Sequence, residues 1–127
     1  MNVIILAAGE GIRLRPETTN IPKGMVKLFD KSLLEMQIDI FKKYNINDIS
    51  IVSGYLSNQI TFPSISYFKN KNYLSTSGIV SLFCAKEKLQ DNTIITYSDL
   101  IFEKSIIDNV INFKCDIGIA VDLDWEK

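Results

Sequence analysis

Val3-Ile4-Ile5-Leu6 is an unbroken apolar run, the pattern of a parallel strand covered on both faces. Asp48–Ser53, Ile65–Phe68, Thr93–Tyr97 and Ile117–Val121 also read as strands. Between them, apolar residues recur at helical spacing. Leu34, Ile38 and Phe41 share one face of a helix that Ser32 and Glu35 open as a capping box and that runs to about Tyr44. Thr76-Ser77 offers an N-cap for a helix from about Gly78 to Leu89, with Ile79, Leu82, Phe83 and Leu89 apolar. Ser105 caps a third, in which Ile106, Ile107, Val110 and Ile111 follow helical spacing. A short apolar piece, Met25–Phe29, ends at Asp30-Lys31. Strands alternating with helices through short loops predict an α/β fold: a doubly wound, mostly parallel, Rossmann-like sheet with helices on both faces.

Ligands bind such sheets at the carboxyl ends of the strands. Three chemically loaded segments fall there: the loop around Gly9, the Ser98-Asp99 pair, and Asp122 with Asp124. The loop is the richest. Leu6 to Lys23 reads LAAGEGIRLRPETTNIPK, with small residues, glycines, arginines and a lysine directly behind the first strand. A dinucleotide fingerprint would need a third glycine where Leu14 stands, and Pro16 opposes immediate entry into a long helix. A Walker loop would need Ser or Thr after glycine-lysine, whereas the order here is Lys23-Gly24-Met25. What remains is a loop whose small residues expose amides while Arg13 and Lys23 bracket an anion. The plainer alternative is a solvated turn with two surface cations.

Composition narrows the choice. The chain has 127 residues, enough for one domain with a core of its own, and a net charge of −1. That balance provides no broad basic field, so nucleic acid is not expected as a partner. No stretch approaches transmembrane length, and MNVIILAAG lacks the basic start of a signal peptide, so a membrane is not expected either. The two cysteines, Cys84 and Cys115, have no metal-binding spacing, and a cytoplasmic setting is the default. Histidine is absent, which excludes Ser–His and Cys–His catalysis. Transfer between phosphates needs positioning and charge neutralisation more than a general base, and suits such a chain.

The string L-A-A-G-x-G-x-R-L-x-P…P-K closely resembles the N-terminal signature of the nucleotidyltransferases that activate sugar phosphates and phosphocholine. LLEMQIDIFKKYNINDISIVSGY looks like that family's first helix and second strand. TSGIVSLFCA and IAVDLDW resemble its phosphocholine-cytidylyltransferase-like branch and TYSDL the family's strand end that carries a metal-binding aspartate, so the similarity runs the length of the chain. The resemblance implies that Leu6, Ala7, Ala8 and Gly9 hold base and ribose through main-chain groups. It implies that Gly11 and Arg13 wrap a triphosphate, that Lys23 neutralises the reacting phosphates, and that Asp99 holds Mg²⁺. Arg13 and Lys23 are then the catalytic pair. Ser77 joins the nucleotide site, although the branch commonly has asparagine there. Asp122, Asp124 and Trp125 could meet a cationic acceptor.

The implied reaction is CMP transfer from CTP to a phosphorylated small-molecule acceptor such as phosphocholine or an aminophosphonate, with release of pyrophosphate. A sugar-1-phosphate nucleotidyltransferase using UTP or dTTP, or a truncated non-catalytic nucleotide-binding module, are the alternatives. Family members are much longer. Residues 1–127 are therefore expected to be the nucleotide-binding N-terminal part of such a domain with its C-terminal half absent, with a homo-oligomer as one expected assembly.

Overall fold

The computed structural model describes residues 1–124. Its centre is a four-stranded parallel sheet of β1 (Asn2–Ala7), β4 (Ile49–Ser53), β5 (Ser66–Lys69) and β6 (Thr93–Tyr97), in the order β5-β4-β1-β6. A hairpin of β2 (Lys27–Leu28) and β3 (Lys31–Ser32) precedes the first helix. The helices are α1 (Leu33–Lys43), α2 (Gly78–Cys84) and α3 (Lys104–Asn112).

The apolar run of β1 feeds two cores. Val3, Ile5 and Ala7 point to one face and pack with Leu34, Ile38 and Phe41 of α1 and Ile107 of α3. Ile4 and Leu6 point to the other, where Val52, Leu82 and Ala85 cover them. Right-handed crossovers explain the division. The chain travels outward from β1 through α1 to β4 and β5, then reverses through α2 to β6 on the opposite side of β1. A right-handed connection that reverses direction must cross the opposite face. The sheet is therefore doubly wound, as the pattern of apolar runs predicts, and the strand order reverses between β1 and β6.

Several boundaries follow local chemistry. Ser32 caps α1, its hydroxyl accepting from the Glu35 amide at 3.2 Å, and the helix ends at Tyr44. The Tyr44 hydroxyl donates to Asp108 at 2.6 Å and ties α1 to α3; loss of water, then the bond to that carboxylate, pushes its pKa up to about 12.

Three expectations need correction. The second helix stops at Cys84 with Ala85 as its C-cap and continues only as a 3-10 turn at Lys86–Lys88, where the Asn2 side-chain amide donates to the Lys88 carbonyl. Glu103, not Ser105, occupies the cap position of α3. Ile117–Val121 forms no strand: it pairs with none of the sheet, and Ile117, Ile119 and Val121 are exposed. An apolar run becomes a strand only where a ladder accepts it, and among the described residues the outer edge of β6 has no partner.

Candidate active site

The reversal between β1 and β6 opens a crevice at their carboxyl ends, the usual ligand position in sheets of this type. It is a cleft of about 420 Å³, floored by Leu6, Ala7 and Ala8 and walled by the segment from Gly9 to Leu14. Lys23, Ser77 and Asp99 line it as well. Every residue singled out for the nucleotide and metal in the sequence therefore borders one cavity.

The glycine loop is shaped by its neighbours. Gly11 has φ of +66°, and a Cβ there would lie 3.1 Å from both the Lys23 stem and Thr18. Glycine lets the loop turn in the left-handed region while pressed against the lysine. Thr18, fully buried, donates its hydroxyl to the Gly11 carbonyl at 2.7 Å and pins the loop from behind. A Cβ on Gly9 would meet nothing within 4 Å, so the backbone there stands open to a ligand. Gly54 closes the far side: its amide neighbour Tyr55 donates to the Ala8 carbonyl at 3.0 Å, and a Cβ would lie 2.6 Å from that oxygen.

Charge is concentrated at the mouth. Lys23 opens a 3-10 turn at Lys23–Met25 behind Pro22, and its ammonium pairs with the Asp99 carboxylate. Arg13 lies exposed in the turn Ile12–Leu14 and makes no ion pair among the described residues, whereas Arg15 pairs with Glu10 at 3.5 Å. The guanidinium of Arg13 is thus open to an anion.

Gly24 sets the distance between the two sides. A Cβ on it would lie 2.7 Å from Leu34 Cγ and 2.8 Å from Ser98 Cβ, so α1, the lysine turn and the end of β6 meet at a point that admits no side chain. Gly24→Ala should cost about 1–3 kcal/mol in urea unfolding, because the new Cβ overpacks against Leu34 and Ser98 and one of them, or the lysine turn, must shift. Unchanged stability would show that the junction has room.

Ser77 stands at the cap position of α2 and faces the cleft, yet its hydroxyl makes no capping bond. Tyr97 is about half exposed, and its hydroxyl oxygen would lie 2.6 Å from a Cβ on Gly78. It forms part of the cleft wall.

Asp122 and Asp124 lie on the exposed C-terminal segment, outside the cleft lining, with the Asp124 amide donating to Asp122. Trp125 lies outside the described residues. Sequence reading passed over three organisers of the site, namely Thr18, Gln37 and Asn70. Asn70, buried, donates to Thr76 at 2.8 Å and to Ser81 at 2.9 Å, and accepts from the Asn72 amide at 3.0 Å. It orders the cleft rim between β5 and α2.

The donor set fits a hard cation only in part-protein coordination. Among the described residues no three metal-binding side chains cluster. Of the two carboxylates lining the cleft among the described residues, Glu10 pairs with Arg15 and Asp99 with Lys23, so Mg²⁺ held by Asp99 would take its remaining ligands from phosphates and water.

The fold and cleft define an α/β protein with a crevice lined by Arg13 and Lys23 at its topological switch point. Residues 3–123 match the MobA-like NTP transferase domain, and the chain belongs to that family. It is 34% identical to the CTP:phosphoglutamine cytidylyltransferase of Campylobacter jejuni, over 100% of this chain and 54% of that protein. It is 39% identical to the choline-phosphate cytidylyltransferase of Streptococcus pneumoniae, over 81% of this chain and 47% of the relative. The solved CTP:phosphocholine cytidylyltransferase from Streptococcus pneumoniae superposes with a TM-score of 0.73 at 39% identity, covering 77% of this chain and 44% of that one. The chain thus spans about half the length of the curated relatives it matches. No helix among the described residues is long and apolar enough to cross a membrane.

Proposed function

We propose that the cleft binds CTP with Mg²⁺ and that the protein transfers CMP to a small phosphorylated acceptor bearing an amine. One observation carries the reading: Lys23 and Asp99 are held as a pair at the mouth of the switch-point crevice, facing the glycine loop. Within this pair each charge neutralises the other. A bound triphosphate gives Lys23 a stronger partner and releases the Asp99 carboxylate to the metal side. Mg²⁺, when bound, supplies neutralisation of phosphate charge.

The main chain of Leu6–Gly9 holds base and ribose, and the Gly11 loop with Arg13 wraps the phosphates. An acceptor phosphate oxygen then attacks the α-phosphorus as the bond to the β-phosphate oxygen breaks, and pyrophosphate leaves with that electron pair. Both reactants are anions, so Lys23 and Arg13 act by stabilising the charge that builds between them. No proton transfer to a side chain is required. Cytosine and an amine-bearing acceptor are favoured by the activities named for the two cytidylyltransferase relatives. Asp122 and Asp124 are assigned to the acceptor's cationic end on charge alone. We place the protein in the cytoplasm, a setting in keeping with its free thiols.

A pyrophosphate-release screen of four nucleotides against phosphocholine, aminoethylphosphonate, phosphorylated amino acids and hexose 1-phosphates tests the assignment. CTP with an amine-bearing acceptor should give the signal. Turnover of UTP or dTTP with hexose 1-phosphates alone would move the protein to the sugar-activating class.

We also propose that the chain pairs with a second copy. Leu74, Ile79 and Phe83 are exposed on and beside α2, and the β6 edge carries exposed Ile95 and Tyr97. Sedimentation should show species larger than a monomer, and a monomer at all concentrations would contradict this.

A further inference from the structure

We propose that Gln37 is a positioning residue for the Asp99 carboxylate, acting through the main chain and touching no ligand. The inference rests on the reading of Asp99 as the carboxylate on the metal side and deepens it.

The sequence already sets Gln37 apart. Leu34, Gln37, Ile38 and Phe41 fall on one face of α1, and all four are buried against the sheet. An amide in the middle of an apolar stripe is costly unless it is hydrogen-bonded. Here the side chain is 2% exposed, and its Nε2 donates to the Tyr97 carbonyl at 2.9 Å and to the Leu100 carbonyl at 2.7 Å. Both partners are acceptors, which fixes the amide with its nitrogen toward them.

Those two carbonyls bracket Ser98-Asp99. The same short segment is also held where the Ser98 amide donates to the Leu6 carbonyl of β1 at 3.0 Å and where the Thr96 hydroxyl donates to the Tyr97 carbonyl at 3.4 Å. The turn itself closes through the Leu100 amide, which donates to the Tyr97 carbonyl at 3.3 Å. Gln37 therefore staples both ends of the turn that presents Asp99 to Lys23.

The oxygen of the same amide argues against simple packing. Among the described residues, Gln37 Oε1 is buried with no hydrogen-bond partner. Leucine or methionine would fill the space without that unpaired atom. What glutamine adds is two donors aimed at the Asp99 turn.

The test uses the chain with CTP as the probe, measuring affinity with and without Mg²⁺ by calorimetry, for the parent, Gln37→Met, Asp99→Asn and the double variant. Gln37→Met should cut the Mg²⁺ enhancement of CTP affinity by about tenfold and leave metal-free affinity within about twofold. In the Asp99→Asn background it should have no further effect on that enhancement, because it acts only through the carboxylate. Amide exchange, measured without nucleotide, should speed at Leu100 and not at Ile5.

If Gln37→Met does not fold, Gln37→Glu keeps the shape; burial holds its carboxyl neutral, and a single donor should give a smaller shift in the same direction. Equal acceleration of exchange throughout the protein would overturn the proposal. So would an unchanged Mg²⁺ enhancement in Gln37→Met, or full additivity with Asp99→Asn. A parent chain whose CTP affinity ignores Mg²⁺ would remove the reading of Asp99 itself, and the inference with it; that failure is recognised because it occurs before any substitution.

Discussion

Lys23→Ala is expected to lower pyrophosphate release by about 100- to 1000-fold, the range seen when one preorganised charge-stabilising group is removed from a site of this kind. The Lys23 ammonium lines the cleft on a stem that lies against Gly11. Arg13 lines the same cleft but sits on an exposed turn. Truncation at position 23 also leaves Asp99 without its partner beside an arriving polyanion. Nucleotide binding should therefore weaken along with turnover. Stability should change by less than about 1 kcal/mol, because both members of the pair are partly exposed and such pairs contribute little to folding. Steady-state kinetics and urea unfolding, measured side by side, separate the two effects. Near-normal kcat/KM would remove Lys23 from the site.

Asp99→Asn should produce the opposite pattern in binding and a similar collapse in turnover. The substitution keeps shape and removes one negative charge from a cleft built for anions. Without Mg²⁺, the parent opposes the triphosphate with Asp99 and occupies Lys23 with it. The variant does neither, so metal-free CTP should bind as well as or better than in the parent. With Mg²⁺, the parent should gain affinity and the variant should not. The crossing of these two responses is the signature of a carboxylate that serves the metal. A uniform loss of affinity in both conditions would assign Asp99 to structure instead.

The sheet was legible because its signals are local. The β1 run is apolar at every position from Val3 to Leu6, and the structure buries all of them. Thr93–Tyr97 matches its predicted bounds, since Asp91-Asn92 before it and Ser98-Asp99 after it are turn formers. The Gly9 loop and Asp99 could be placed at one end of the sheet from strand direction alone. Their mutual approach was not legible, because it depends on Gly24 having no side chain between Leu34 and Ser98. Nor was the Thr18 bond, which joins two points of one irregular loop. Gln37 did leave a signal, a polar residue inside an apolar stripe, though not one that names its partners. Ile117–Val121 shows the limit from the other side. Its residues favour a strand, but pairing is a tertiary property, and the described fold leaves that segment unpaired.

The central claim is that one cleft, formed where the strand order reverses, receives Mg²⁺-CTP. Titration of the isotope-labelled chain with CTP and Mg²⁺, followed through its amide resonances, tests this most directly. The amides of Ala8, Gly9, Gly11, Lys23, Ser77 and Asp99 should shift together with one saturating curve. Those of Lys69 and Lys71, on a second and more open hollow beyond Gly54, should stay in place. Shifts centred on those two lysines, or no saturable shift at the glycine loop, would contradict the account.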